Sequence, residues 1–85
     1  MSLIQPLINN GYSISDALRI ARNECYANYG NVFSDEMLND YFYTKHGDIY
    51  SKNPSLTSDD IYNSYLNDFE KENIDTIKIL EDENS

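Results

Sequence analysis

Between Ser13 and Gly30 the chain carries matched start and stop signals for one helix, and this pairing constrains the fold more than any other feature. Ser13-Ile14-Ser15-Asp16 has the form of a capping box, in which Ser13 caps and Asp16 reaches back, while Tyr12 can staple against Ala17. Ile14, Ala17, Leu18, Ala21, Cys25 and Asn28 or Tyr29 then recur at 3.6-residue spacing until Gly30. The expectation is a helix over about 14–29.

The same logic divides the rest of the chain, because its three Gly and two Pro fall where the apolar period breaks. A short first helix is expected after Ser2, with Leu3, Ile4, Leu7 and Ile8 at helical spacing, Pro6 early enough to be tolerated and Gly11 as the stop. Ser34 is expected to cap a third helix with Asp35 and Glu36 in its first turn, and Phe33 can staple on Leu38. Met37, Leu38, Tyr41 and Phe42 form its stripe, Lys45 and His46 complement its dipole, and Gly47 supplies a left-handed stop.

Asp48 to Leu56 reads as a connection, with Ile49, Tyr50 and Leu56 as expected core contacts, a single turn near 48–52 and Pro54 forbidding a continuous helix. A fourth helix starts at Thr57 or Ser58, with Asp59 and Asp60 in its first turn and Ile61, Tyr62, Tyr65, Leu66 and Phe69 as its stripe to about Glu72. The run 74–80 is two-sided: β-branched alternation favours a strand, and the spacing of Ile74, Ile77 and Leu80 favours a helix. A lone strand would have nothing to pair with, so a short terminal helix or an extended segment is expected. The fold class is all-α, a compact bundle of about four short helices, with 1–80 as one helical domain and 81–85 as a solvated acidic tail.

Charge narrows the function. Fifteen Asp and Glu face six Lys and Arg, a net of -9 over 85 residues. Residues 1–47 carry five acids and three bases, a net of -2, and residues 48–85 carry ten acids and three bases, a net of -7. An anion of this density repels nucleic acid and phospholipid headgroups and is drawn to basic grooves. The expected partner is a protein with a basic surface, in particular a nucleic-acid-binding enzyme, with no direct nucleic-acid contact and no membrane contact. One cysteine, Cys25, suggests a reducing, cytoplasmic setting, and the first residues have neither a positive n-region nor a long apolar stretch, so neither a signal peptide nor a membrane span is expected.

Catalytic chemistry is hard to assemble. His46 is the single histidine, which leaves no two-histidine metal site and no serine triad with a spare ring. Cys25 falls on the apolar stripe of its helix, where a thiol is usually inert. Asp48-Ile49-Tyr50-Ser51-Lys52-Asn53 lacks the alternate ligands and central Gly of an EF-hand loop, and no Gly-rich phosphate loop is present. Neither a catalytic residue, a metal nor a cofactor is expected, and the chain reads as a non-enzyme.

What remains is a binding surface of carboxylates and tyrosines. Asp60, Asn63, Asn67, Asp68, Glu70 and Glu72 lie away from the apolar stripe of the fourth helix, and Asp48, Asp75 and the acidic tail add to the same half. Carboxylates held on a rigid helix can stand in for phosphates, and Tyr43 and Tyr50, if exposed, are of a type that dominates protein hot spots. The alternative is an acidic face that only keeps the protein soluble. The candidate partner-binding set is Asp48, Tyr50, Asp60, Asp68, Glu70, Glu72 and Asp75.

In composition the chain resembles the small acidic phage and mobile-element inhibitors that mimic DNA, of the anti-restriction and anti-CRISPR type. Ser13-Ile14-Ser15-Asp16 opening a helix, a second helix from Ser34, and His46-Gly47-Asp48-Ile49-Tyr50 with Pro54 before a last helix are similar to the layout of colicin-type nuclease immunity proteins. That resemblance implies that Asp48 and Tyr50 grip a nuclease. Asn10-Gly11-Tyr12, Asp16-Ala17-Leu18 and Asn31-Val32 resemble ubiquitin-associated three-helix modules, which implies an adaptor or oligomerisation module docking through an apolar patch with Tyr12, Val32 or Phe33.

Overall fold

The computed structural model describes residues 4–84, and the fold is all-α, with no strand among those residues. In chain order the elements are α1, Ile4–Asn9; α2, Ile14–Ala27; α3, Glu36–Asn39, which runs directly into a π-helical stretch, Asp40–Lys45; α4, Ser58–Ser64; and α5, Asp68–Glu83. They fall into two compact units, one made of 1–23 with 68–85, the other of 24–67. Helix α2 passes from the first to the second at Asn23. The expected cap Ser2, the apolar Leu3 and the last residue, Ser85, lie outside the described residues.

The first unit holds α1, most of α2, and α5. Helix α1 ends in a Schellman motif: Gly11, at φ 97°, donates its N–H to Ile8 O, and Tyr12 N donates to Leu7 O. At the start of α2, Ser13 Oγ accepts from Asp16 N as expected, and the Asp16 carboxylate accepts from Arg19 Nη2 at 2.6 Å. Ala17, Leu18 and Ile20 are buried, Ala21 is half-buried, and Ile14, expected on the stripe, is 51% exposed. The buried arc is thus wider than a single stripe and extends to Ile20 and to Asn23, whose amide donates to Arg19 O and so satisfies itself within the helix.

In α5 the ambiguity over 74–80 resolves in favour of the three-residue spacing. Ile74 and Ile77 are buried and Leu80 half-buried, while Ile79 points outward. The expected acidic tail is corrected as well: Glu81, Asp82 and Glu83 are the last turn of α5, and Glu81 accepts from Arg22 of α2 at 2.6 Å and 3.4 Å. A guanidinium fork 59 positions away gives that turn a reason to stay helical.

The second unit is organised by the end of α2. Gly30, at φ 83°, donates to Ala27 O, and Asn31 N donates to Tyr26 O, a second Schellman motif. Helix α3 is capped by Asp35, which accepts from Met37 N, one residue later than the expected Ser34. Phe33 is held by Asn39, whose side chain accepts from Phe33 N and donates to Phe33 O. Both residues are buried. The π-helical turn that follows widens the spiral, so that three consecutive aromatics, Tyr41, Phe42 and Tyr43, all turn inward, the first two buried and the third half-buried. Phe42 lies at the centre of this cluster, with ring centroids 5.0 Å from Tyr41, 5.8 Å from Phe33 and 5.0 Å from Tyr50.

Three further expectations are corrected here. Gly47 is not left-handed; a Cβ there would stand 2.6 Å from Tyr43 O, so its role is to leave room. Ile49 is 69% exposed rather than core. The fourth helix does not run to Glu72: Thr57 caps α4 through a full capping box with Asp60, but α4 ends at Ser64, where Leu66 N reaches back to Ile61 O and Leu66 is buried. Phe69, assigned to its stripe, belongs to α5 and is 79% exposed.

The two left-handed glycines predict different costs. An alanine at Gly11 meets nothing within 4 Å, so only backbone strain remains and Gly11→Ala should lose about 1 kcal/mol. At Gly30 the added Cβ would lie 2.6 Å from Asn53 N and 2.7 Å from Ser51 O, both backbone atoms, and Gly30→Ala should lose about 3 kcal/mol or more. Urea unfolding of the two variants checks this ordering, and equal losses would refute it.

A candidate acidic face

The sequence-derived site residues divide between the two units. Asp48, Tyr50 and Asp60 are in the second, and Asp68, Glu70, Glu72 and Asp75 in the first. The charge divides with them. The first unit has eight acids and four bases, a net of -4, and the second has seven acids and two bases, a net of -5. The asymmetry seen along the sequence is therefore not an asymmetry between the units.

In the second unit the candidate residues are mostly engaged in folding. Asp60 Oδ2 accepts from Thr57 N and its own amide donates to Thr57 Oγ1, each at 3.1 Å, so this carboxylate closes the capping box of α4. Tyr50 is half-buried with its ring edge-on to Phe42, which makes it a packing residue as much as a contact residue. Asp48 is exposed in the turn that follows the π-helical stretch, where Ile49 N and Tyr50 N both donate to His46 O. His46 itself packs its ring 4.6 Å from that of Tyr41.

The first unit gathers carboxylates on one element. Helix α5 carries seven acids and two lysines, a net of -5 over Asp68–Glu83. At 100° per residue, Asp68, Glu72, Asp75, Asp82 and Glu83 fall within about a third of the helix circumference, and all five are exposed. Ile79 stands among them, 60% exposed. Glu70 does not belong to this face: it lies on the side of Ile74, Ile77 and Glu81 and is half-buried. Sequence reading missed Ile79 as a member of the face and counted Asp82 and Glu83 with it only as a tail, not as part of the helix. The signal that would have placed Ile79 and Asp82 is the four-then-three spacing of 68, 72, 75, 79 and 82, hidden by the β-branched run and by treating 81–85 as a tail.

Among the described residues no group of three or more His, Cys, Asp and Glu is placed to hold a metal ion. No helix among them is long and apolar enough to cross a membrane. Cys25 is half-buried and forms no disulfide.

Two phenols of the second unit are shifted by their surroundings. Burial pushes Tyr43 up to about 12, and its hydroxyl donates to Asn31 O. Burial first, then the charge of Glu24 and the presence of Tyr41, raises Tyr50 above 10. A raised phenol favours the folded state while it is neutral, so this stability is intact below pH 10 and is lost as pH climbs towards about 12. Unfolding free energy should fall across that window, and Tyr43→Phe should flatten the fall and remove a phenol ionising at about pH 12 from a spectrophotometric titration. A variant that loses stability just as steeply would show that another group is responsible.

No curated protein and no solved structure matches the chain significantly. A family model, the YARHG domain, matches residues 9–82. Read as one-letter residue codes, that name spells Tyr-Ala-Arg-His-Gly, and two pentapeptides here agree with it at three positions each: Tyr26-Ala27-Asn28-Tyr29-Gly30 and Tyr43-Thr44-Lys45-His46-Gly47. Of their two glycines, Gly30 is the one held at positive φ, at the Schellman end of α2. With the match running from the end of α1 almost to the end of α5, the chain belongs to the YARHG domain family.

Proposed function

We propose that this YARHG-family chain is a non-catalytic binding module whose α5 face docks on a basic surface of a partner protein. The observation that carries the reading is the set of exposed carboxylates aligned on one rigid helix, Asp68, Glu72, Asp75, Asp82 and Glu83. Surfaces that hold phosphate backbones are basic surfaces of this kind, so a nucleic-acid-binding enzyme such as a nuclease, restriction enzyme or CRISPR effector fits as the partner. Occupying such a surface excludes its substrate, which would make the chain an inhibitor by charge mimicry. The low cysteine content of these 85 residues suits a reducing, cytoplasmic setting for that encounter.

A second reading, an adaptor docking through apolar surface, is favoured by one observation: Phe69 at 79% and Ile49 at 69% exposure are large side chains left in water. Phe33, expected in the apolar patch of such a module, is buried, so Phe33→Ala would report stability rather than docking.

Salt separates the two readings. With a partner captured from the native host, binding should weaken by about tenfold or more between low and high salt. The variant Asp68→Asn, Glu72→Gln, Asp75→Asn, Asp82→Asn should bind at least as much more weakly, while retaining its helical circular dichroism. Undiminished binding by that variant rejects the charge reading, and salt-insensitive binding lost on Phe69→Ala supports the adaptor.

A further inference from the structure

Two tyrosines of the second unit meet at the ends of two different helices. Tyr29 sits in the turn that closes α2, its amide donating to Tyr26 O at 3.1 Å, and Tyr65 is the C-cap of α4, its amide donating to Ile61 O at 3.0 Å. Their ring centroids are 5.2 Å apart, with 42° between the ring planes. Tyr65 is 48% exposed and Tyr29 half-buried, and their chain neighbours Asn28 and Ser64 are exposed, so the pair lies within reach of water and small solutes.

The approach of the two rings is built into the fold. Asn31 Oδ1, two residues beyond Tyr29, accepts from Ser58 Oγ at 3.0 Å, which ties the first residue of α4 to the turn that carries Tyr29. Gly30 O accepts from Asn53 N at 2.7 Å and draws the loop before α4 to the same turn. Helix α4 has seven residues, so fixing its start also fixes where Tyr65 stands at its end. Two phenols held in contact share one chemistry that neither has alone, which is oxidative coupling of their rings.

We infer that Tyr29 and Tyr65 form an oxidative modification site, at which a peroxide acting through a haem peroxidase joins the two rings as an intrachain dityrosine. Each phenol gives up one electron and one proton and becomes a radical whose unpaired spin is shared with the ring carbons ortho to oxygen. A carbon–carbon bond forms between one ortho carbon of each ring, and the hydrogen on each of those carbons moves to the oxygen of its own ring. The chain loses two hydrogens in all, and the peroxide takes them up to become two molecules of water. Holding the rings together turns the coupling from an encounter between chains into a step within one. Tyr43 is the contrast: its hydroxyl donates to Asn31 O and burial raises it to about 12, so it gives up its proton less readily. The new bond resists thiols, and it links the ends of α2 and α4 much as a disulfide closes a loop.

The test treats the full chain, dilute, with a haem peroxidase and hydrogen peroxide, and follows dityrosine fluorescence, intact mass and fragment spectra. The expected product is a monomer lighter by two hydrogens with Tyr29 linked to Tyr65, and its thermal midpoint should rise by about 5 °C or more. Tyr29→Phe and Tyr65→Phe should each cut the intrachain product about tenfold. Both keep an aromatic ring in place, and circular dichroism checks that they fold. Tyr62→Phe, one turn earlier on α4, should leave the yield unchanged. Dityrosine formed mainly between chains, or an intrachain link that survives Tyr65→Phe, overturns the site. A crosslinked monomer with a lowered midpoint overturns the claim that the bond forms in the folded geometry.

Discussion

The second unit depends on a backbone reversal at Gly30 that no side chain could occupy. Because Gly30 takes a left-handed conformation, the chain leaves α2 with the amides of Gly30 and Asn31 folded back on Ala27 and Tyr26. That turn sets Asn31 where it is buried and bonded on two sides: its carbonyl accepts from the Tyr43 hydroxyl and its side-chain oxygen accepts from Ser58 Oγ at 3.0 Å. Gly30 O in turn accepts from Asn53 N at 2.7 Å, drawing the loop before α4 against the end of α2. The aromatic cluster around Phe42 forms inside the frame that these bonds define.

Helix ends governed by local chemistry were legible. Ser13 as a cap, Thr57 with Asp60, Gly11 and Gly30 do what their types and spacing dictate, because a cap or a left-handed stop involves only a few neighbouring residues, whereas Asp16, expected to reach back to Ser13, gives its carboxylate to Arg19 instead. The break between α4 and α5 was not legible. Ile61, Tyr62, Tyr65, Leu66 and Phe69 keep helical spacing straight across it, no Gly or Pro marks it, and what ends α4 is the burial of Leu66 with its amide turned back to Ile61. The helix over 74–80 depended likewise on what buries Ile74 and Ile77, and β-branched propensity pointed the other way. The π-helical widening at Asp40–Lys45, which turns three adjacent aromatics inward, is not revealed by period alone.

For the candidate site, the sequence showed that carboxylates dominate the later half of the chain but not how they are shared out. Asp60 is occupied as a cap, Glu70 faces inward, and Tyr50 packs on Phe42, while Asp68, Glu72 and Asp75 do lie on one open face. Membership of that face follows from where α5 begins, and α5 begins at a break set by tertiary packing. Ile79 shows the same limit from the other side, since an isoleucine in an apolar run reads as core until the buried arc of its helix is known.

The division of the chain also orders its assembly in time. The unit of 24–67 is continuous, so everything it needs is present once that stretch has left the ribosome. The unit of 1–23 and 68–85 is not: α2 must wait for α5, and the Arg22–Glu81 pair closes a span of 59 residues. Loop closure of that length slows folding more than it costs stability. Until α5 arrives, Arg22 lacks the carboxylate of Glu81, and a nascent chain paused there holds only the first stretch of a unit that its last helix must complete.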